Sequence, residues 1–312
     1  MKVFKSEWVD DADQEIRNLQ RLSGGTHPCV LRHIDILVNS HISSAPMIVF
    51  PLLGPDMLTL IRWRYGLRDM QLTEPTMGLP WWLVAKCAQD ILEGVAEYHR
   101  LGLMHCDIKP ENIMLSKPFN SVEELVAAPK DSWNVVVADA GSSLDSCECK
   151  GTNHGTDPYR SPEFVSQQTM FGPPVDVASI GAVVYELRTR DALYNLHNNK
   201  VTEEGSSSGG DRSSESSESS DSSDTNELHD LQTDMRICGK MQSIWGRFPR
   251  SMRDNSKISE LIWNSRGGVL YAGKPPQTAT IESVLTGDEY RMPPAEATLF
   301  GAFLHHTCAL WP

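Results

Sequence analysis

The sequence has 312 residues, 40% of them hydrophobic, and carries a net charge of −13. This length is typical of about two domains, and the composition excludes collagen and coiled coils. Its seven cysteines are scattered and odd in number, so they indicate a reducing compartment, cytoplasm or nucleus, and no disulfide framework. We see neither a secretory signal nor the roughly 18 apolar residues needed to span a bilayer, and we expect no membrane contact.

The negative charge is concentrated in one serine-rich segment. Residues 203–230 contain nine acidic side chains against Arg212 alone, which leaves −5 for the rest of the chain. Such a segment buries too little apolar surface to fold by itself, so we predict a disordered insert over residues 198–230. It is either a solvated surface insertion or a phospho-acceptor that attracts basic partners, and its charge argues against direct nucleic-acid binding.

The predicted elements fall into a strand-rich front and a helical rear. In chain order, the front has a strand at 1–5, a helix at 11–22 and strands at 30–38 and 47–53. The rear begins with a strongly amphipathic helix at 80–101 and continues with short strands at 103–105, 113–115 and 135–139. Further helices are predicted near 175–187, 231–244 and 294–310.

The segment His105-Cys106-Asp107-Ile108-Lys109-Pro110-Glu111-Asn112 carries the chemistry. The Asp107 carboxylate can accept a proton from a hydroxyl, and the Lys109 ammonium can neutralise a transferring phosphoryl group. Asn112 offers an amide oxygen for Mg²⁺, and Asp139, which follows an apolar strand, offers a carboxylate. These are the parts that phosphoryl transfer requires.

This octet resembles the catalytic loop of protein kinases, and further motifs follow in the family's order. Asp139-Ala140-Gly141 stands where the family has Asp-Phe-Gly, 159–163 resembles the end of an activation segment, and 176–181 resembles the buried helix that follows. The resemblance implies an α+β fold with two lobes. We expect a partial, β-rich N-lobe at 1–53 and a larger helical C-lobe at 54–312.

The resemblance also implies a nucleotide site. Lys2 matches the phosphate-binding lysine and Glu15 its helix partner, Phe50 matches the gatekeeper, and Leu52 and Leu53 lie in the hinge that touches adenine. The implied cofactors are ATP and Mg²⁺, the latter held by Asn112 and Asp139.

Several segments are similar to the SR-protein kinases, notably HCDIKPEN, VFPLLGPDML and 246–270. This similarity implies transfer of the ATP γ-phosphate to serines of Arg/Ser-rich proteins, by a chain expected to act as a monomer. Cys106 replaces the arginine that reads an activation-segment phosphate in most kinases, so we expect the Ser and Thr residues between Ser142 and Thr156 to be dispensable for activity.

Three departures from the kinase pattern keep a second hypothesis open. The resemblance begins at the third strand, without a Gly-rich loop, which predicts weak ATP binding. It also ends before a late arginine that pairs with the glutamate matched here by Glu163, and Ala140 and Ala178 replace bulkier residues. The alternative is therefore a catalytically impaired pseudokinase or fragment that acts as a binding module.

Cys147, Cys149 and His154 form a weaker candidate constellation. They could suggest zinc, but three ligands at this spacing match no common structural site, and we interpret them as surface residues of the activation segment.

Overall fold

A small antiparallel sheet and one helix form the front of the molecule. The strands are β1 (Lys2–Val3), β2 (Asp35–Leu37) and β3 (Met47–Val49), in the order β1-β3-β2, and the helix is α1 (Val9–Leu22). The computed structural model describes residues 1–5, 9–37, 46–66, 78–146, 154–194, 222–270 and 279–309.

Helix α1 confirms the helix predicted at 11–22, and its spacing explains its orientation. Ala12, Leu19 and Leu22 are buried, and Glu15 lies on the same buried side. The helix therefore carries a carboxylate toward the sheet while its apolar residues join the core.

The strand predicted at 30–38 is shorter than expected. Leu31 donates its backbone N–H to Val137 O (2.9 Å) and Cys29 accepts from Val137 N (2.8 Å), so this stretch is fixed to the rear of the molecule. The contact with β3 begins at Ile34, which donates its backbone N–H to Val49 O, and Asp35–Leu37 pair with β3.

The rear is organised around α3 (Trp81–Arg100), which confirms the amphipathic helix predicted there. The helix α2 (Met57–Gly66) precedes it. Two short antiparallel strand pairs follow. The outer pair is β4 (Leu103–Met104) with β7 (Leu144–Asp145), and between them in the chain lies the hairpin of β5 (Ile113–Leu115) with β6 (Val135–Val137). Helix α4 (Val122–Ala127) connects β5 to β6.

The remaining helices pack around α3 and complete the C-terminal half. They are α5 (Pro162–Val165), α6 (Pro174–Thr189), α7 (Ser222–Trp245), α8 (Arg250–Asp254), α9 (Ser259–Ile262), α10 (Ile281–Thr286) and α11 (Pro294–Cys308). Helix α6 is buried on nearly every side, as its apolar sequence predicts. None of the helices within the described residues is long and apolar enough to cross a membrane.

Helix α7 begins inside the predicted disordered insert. It starts at Ser222, so the last nine residues of 198–230 are helical. Apolar residues after 230, such as Ile237 and Met241, are buried and pack the helix onto the core, which explains its stability. The rest of the insert, 198–221, lies outside the described residues.

The fold is thus a mixture of small sheets and many helices, which confirms the predicted α+β class. One continuous buried cluster contains Leu19 and Ile48 from the front and Leu83, Ile180 and Leu304 from the rear. The boundary predicted at residue 53 stays a prediction.

Candidate active site

The loop between β4 and β5 is held in place by a buried carboxylate. Asp176, at the start of α6, accepts the backbone N–H groups of His105 and Cys106, both at 2.8 Å, and its Oδ2 also lies 2.8 Å from His99 Nε2. Cys106 adopts a left-handed conformation (φ 66°), which costs an L-residue about 1–2 kcal/mol. Two charge-assisted hydrogen bonds, both accepted by the Asp176 carboxylate, offset that cost.

His105 connects this loop to the following hairpin. Its Nε2 lies 2.9 Å from Ala138 O, and its Nδ1 accepts the backbone N–H of Asp107 at 3.2 Å. These two contacts fit one tautomer, with the proton on Nε2, and they orient Asp107 outward from the loop.

Asp107, Lys109 and Thr156 form a closed group of polar contacts. Lys109 Nζ lies 2.8 Å from Asp107 Oδ2. Thr156 donates its hydroxyl to Asp107 Oδ1 at 2.8 Å and accepts from Lys109 Nζ at 3.1 Å. The structure thus brings together the two residues predicted to be catalytic and adds a third from a segment 49 residues away.

The contact made by Thr156 bears on one expectation. We predicted that the Ser and Thr residues between Ser142 and Thr156 are dispensable for activity, and this stays a prediction. Thr156 nevertheless touches both residues predicted to be catalytic, which favours a role for its hydroxyl. Ser143 is also fully buried, and its carbonyl accepts from Asn18 Nδ2 at 2.9 Å. Thr152 in that range lies outside the described residues.

Lys2, Glu15 and Asp139 form the second group. Lys2 Nζ lies 2.5 Å from Glu15 Oε2 and 3.2 Å from Asp139 Oδ1, although Asp139 is 137 positions away in the chain. Glu15 is 2% exposed, whereas Lys2 and Asp139 are 41% and 45% exposed, so the lysine reaches from a buried anchor toward solvent.

Charge in this second group keeps both exposed members ionised. Burial acts to raise the pKa of Asp139, but the Lys2 ammonium outweighs it, and the pKa lies below its ordinary value. Burial likewise opposes the charged form of Lys2, and the carboxylates of Glu15 and Asp139 reverse this, so the pKa of Lys2 is raised. An ammonium and a carboxylate side by side suit a phosphate–metal pair.

The residues predicted to hold Mg²⁺ lie at one end of the β5–β6 hairpin. Asn112 precedes Ile113, which pairs with Val137, and Asp139 follows two residues later. Asn112 donates Nδ2 to Asp107 O (2.9 Å) and Oδ2 (3.1 Å), which leaves its amide oxygen for a hard cation. The left-handed Asp139 (φ 65°) offers a carboxylate beside it. This oxygen donor set fits Mg²⁺.

The residues predicted to form the hinge follow β3 and differ in their exposure. Phe50 follows β3 and packs against the core, Leu53 is half-buried, and Leu52 is 85% exposed. Gly54 donates to Leu115 O at 2.7 Å, and a Cβ at Gly54 would lie 1.9 Å from Lys117 O. Only glycine permits this approach. The adenine contacts of Phe50, Leu52 and Leu53 stay a prediction, and Leu52 could contribute only its backbone.

Glu163 has the environment that its sequence position predicted. Its Oε2 is buried with no hydrogen-bond partner among the described residues. It faces a cavity of about 600 Å³ that Ala178 and His306 also line. The zinc constellation predicted to be unimportant cannot be placed, because Cys147 and Cys149 lie outside the described residues.

Sequence comparison assigns a family to this arrangement. The profile of the protein kinase domain matches residues 1–241. This chain belongs to the protein kinase family. It is 32% identical over 117 residues to the DYRK-family kinase pom1 of Schizosaccharomyces pombe, a match that covers 38% of this chain and 10% of that protein.

Two further relatives of this kinase chain match over longer stretches. A probable dual specificity protein kinase YAK1 homolog of Encephalitozoon cuniculi is 24% identical over 237 residues, or 76% of this chain and 44% of that protein. The serine/threonine-protein kinase AFC1 of Arabidopsis thaliana is 30% identical over 219 residues, or 64% and 43%. The chain spans less than half the length of each of these three relatives.

Proposed function

We propose that this kinase chain transfers the γ-phosphoryl group of ATP to a serine hydroxyl of a protein. The observation that carries the proposal is that Asn112 joins the two polar groups of the site. It binds Asp107 through its amide nitrogen and lies at the same hairpin end as Asp139. Acceptor chemistry and nucleotide binding thereby meet in one place.

Each residue has a defined role in the proposed reaction. Asp107 accepts the hydroxyl proton, and the hydroxyl oxygen forms the new bond to the γ-phosphorus as the bond from that phosphorus to the β–γ bridging oxygen breaks and ADP leaves. Lys109 balances charge on the transferring group. Lys2, held by Glu15, binds phosphate oxygens, and Asn112 and Asp139 bind Mg²⁺. The Mg²⁺–nucleotide supplies the phosphoryl group and partial neutralisation of its charge.

We further propose serines flanked by arginines as substrates. The support is an exposed carboxylate on the loop that carries Asp107. Glu111 is exposed and follows Asp107 by four residues. A carboxylate there would pair with an arginine fork and attract cationic peptides.

The competing function is a binding module that holds nucleotide or protein without transfer. Under either function we propose a cytoplasmic or nuclear location and a monomeric state. Substitutions at Asp107 and at Asp139 distinguish the two functions. Asp107 lies on the proposed acceptor side of the site, and Asp139 lies on the proposed nucleotide side.

The test measures ³²P transfer from ATP to an Arg-Ser repeat peptide and to the same peptide with Arg replaced by Gln. We expect transfer to the first peptide only, falling as salt is added. Asp107→Asn should abolish transfer and retain nucleotide binding, whereas Asp139→Asn should weaken Mg²⁺–ATP binding. Asp131→Asn, an exposed aspartate on the turn before β6, is the matched control and should leave both unchanged.

Each outcome of this test is decisive. Equal transfer by the wild type and Asp107→Asn would contradict the enzyme proposal. Nucleotide binding without transfer would favour the binding module. Transfer that prefers acidic peptides would overturn the substrate proposal and leave the enzyme in place.

A further inference from the structure

We propose that His27, Cys29 and Glu93 form a binding site for a divalent transition metal, with Zn²⁺ as the best fit. The three side chains each offer one ligand atom, and these atoms all lie within 4.8 Å of one another. His27 and Cys29 lie on the connection after α1, and Glu93 lies on α3. The site is separate from the catalytic loop and from the Lys2 group.

The spacing is close to that of a zinc site. Zn²⁺ binds nitrogen, oxygen and sulfur at about 2.0–2.3 Å, so neighbouring ligand atoms in a tetrahedron lie roughly 3.3–3.8 Å apart. His27 Nε2 and Glu93 Oε2 are 3.7 Å apart. Small side-chain movements would therefore complete the coordination, with water in the fourth position.

The backbone holds the two halves of the site together. Cys29 O accepts from Val137 N at 2.8 Å, and His27 O accepts from Arg32 Nη1 at 2.8 Å. Helix α3 touches this connection at Gly94, where an added Cβ would lie 2.6 Å from Cys29 O. The absence of a side chain at Gly94 brings the adjacent Glu93 beside His27.

Charge and ligand type favour a borderline-soft dication. The Glu93 carboxylate is exposed beside His27 and Cys29, and a bound dication would balance its charge and displace the thiol proton of Cys29. A nitrogen, sulfur and oxygen set selects Zn²⁺ over Mg²⁺ or Ca²⁺, which take oxygen ligands.

Binding has one identifiable cost. His27 Nδ1 accepts the backbone N–H of Cys29 at 3.3 Å, and ligation through Nε2 would place the ring proton on Nδ1 and end this contact. The hydrogen bond is long and weak, so its loss lowers affinity without preventing binding. The bound metal would connect the segment after α1 to α3, and α1 is the helix that carries Glu15.

The experiment uses the full chain, stripped of metal and kept in a phosphine reductant. Zn²⁺ binding is measured by competition with a chromophoric chelator, and Co²⁺ binding by its thiolate charge-transfer absorption. We expect one equivalent of Zn²⁺, a melting temperature that rises by a few degrees in excess Zn²⁺, and a Co²⁺ charge-transfer band.

Variants at the ligands and elsewhere decide the assignment. Cys29→Ser should abolish the Co²⁺ band, and Cys29→Ser, His27→Ala and Glu93→Gln should each weaken Zn²⁺ binding at least about tenfold, since even outer-shell changes at metal sites cost 10- to 100-fold. His305→Ala removes a comparable exposed histidine, which lies 3.5 Å from Glu282, and should change nothing. The Cys147→Ser/Cys149→Ser double variant should retain full binding.

Two results would overturn the proposal. One is equal Zn²⁺ binding by the wild type and Glu93→Gln, a variant on an exposed helix face that leaves the core intact. The other is loss of binding in the Cys147→Ser/Cys149→Ser variant while Cys29→Ser still binds.

Discussion

At the scale of single residues, Thr156 joins the two side chains that we propose to be catalytic. Its hydroxyl donates to Asp107 and accepts from Lys109. Hydrogen bonds to charged groups contribute about 1.5–3 kcal/mol, so we expect Thr156→Ala to lower kcat for peptide phosphorylation by about 10- to 100-fold. Steady-state kinetics with a saturating peptide would measure this effect.

The conservative variant at Thr156 supplies the control. Thr156→Ser keeps the hydroxyl and should retain most of the wild-type kcat and the wild-type melting temperature. A Thr156→Ala enzyme with unchanged kcat would show that the hydroxyl does not position Asp107.

The residues that sequence reasoning found and missed differ in how far apart they lie in the chain. Asp107, Lys109 and Asn112 share one short loop, so their spacing alone predicted a common site. Thr156 and Asp176 act on that loop from 49 and 70 positions away, distances over which spacing carries no information. The available signal for Asp176 was its place as the one charged residue in the first twelve residues of α6, because a buried carboxylate needs partners.

At the scale of elements, α7 is attached to the segment after the catalytic site through a buried ion pair. Arg160 Nη1 lies 2.5 Å from Asp234 Oδ1, and the two side chains are 3% and 2% exposed. Arg160 also donates Nη2 to Phe164 O at 3.1 Å and Nε to His154 O at 3.1 Å. One guanidinium thus connects α7, α5 and the residues that carry Thr156.

Removal of Asp234 should therefore destabilise the protein strongly. Asp234→Ala leaves the Arg160 charge buried without its carboxylate, and loss of one partner of a buried pair costs about 3–5 kcal/mol. Urea denaturation at neutral pH would measure the change in the free energy of unfolding.

An exposed pair provides the comparison for Asp234. Arg250 and Asp254 lie 3.4 Å apart on α8 with side chains 85% and 64% exposed. Asp254→Ala should cost at most about 1 kcal/mol, because solvent screens such pairs. Equal destabilisation by the two alanine variants would mean that Asp234 contributes no more than a surface charge.

At the scale of the whole molecule, buried carboxylates tie stability to pH, and Asp234 and Glu163 are two of those whose pKa is raised. Burial raises the pKa of Asp234 to about 6, although Arg160 opposes it. Burial also raises the pKa of Glu163, whose Oε2 is buried. Both groups bind protons more tightly in the folded than in the unfolded chain, where carboxyl pKa values are about 4.

The sign of the resulting pH dependence follows from this difference. Where the folded state binds more protons, the free energy of unfolding falls as pH rises. The contribution of these two groups is fully present below about pH 4 and is lost as pH rises through about 6, the pKa of Asp234. Other carboxylates such as Asp139, with a lowered pKa, act in the opposite direction at lower pH.

Glu163→Gln isolates one of the two contributions. The amide cannot ionise, so at pH 7 the variant avoids the cost of charging a buried carboxyl. We expect the free energy of unfolding at pH 7 to rise by about 1.4 kcal/mol for each unit by which burial raises the Glu163 pKa, and to be unchanged near pH 4. Urea denaturation from pH 4 to 8 would show a shallower decline for this variant. Glu260→Gln, at an exposed position on α9, should retain the wild-type dependence of stability on pH. If Glu163→Gln shows that same dependence, Glu163 ionises in the folded protein without cost.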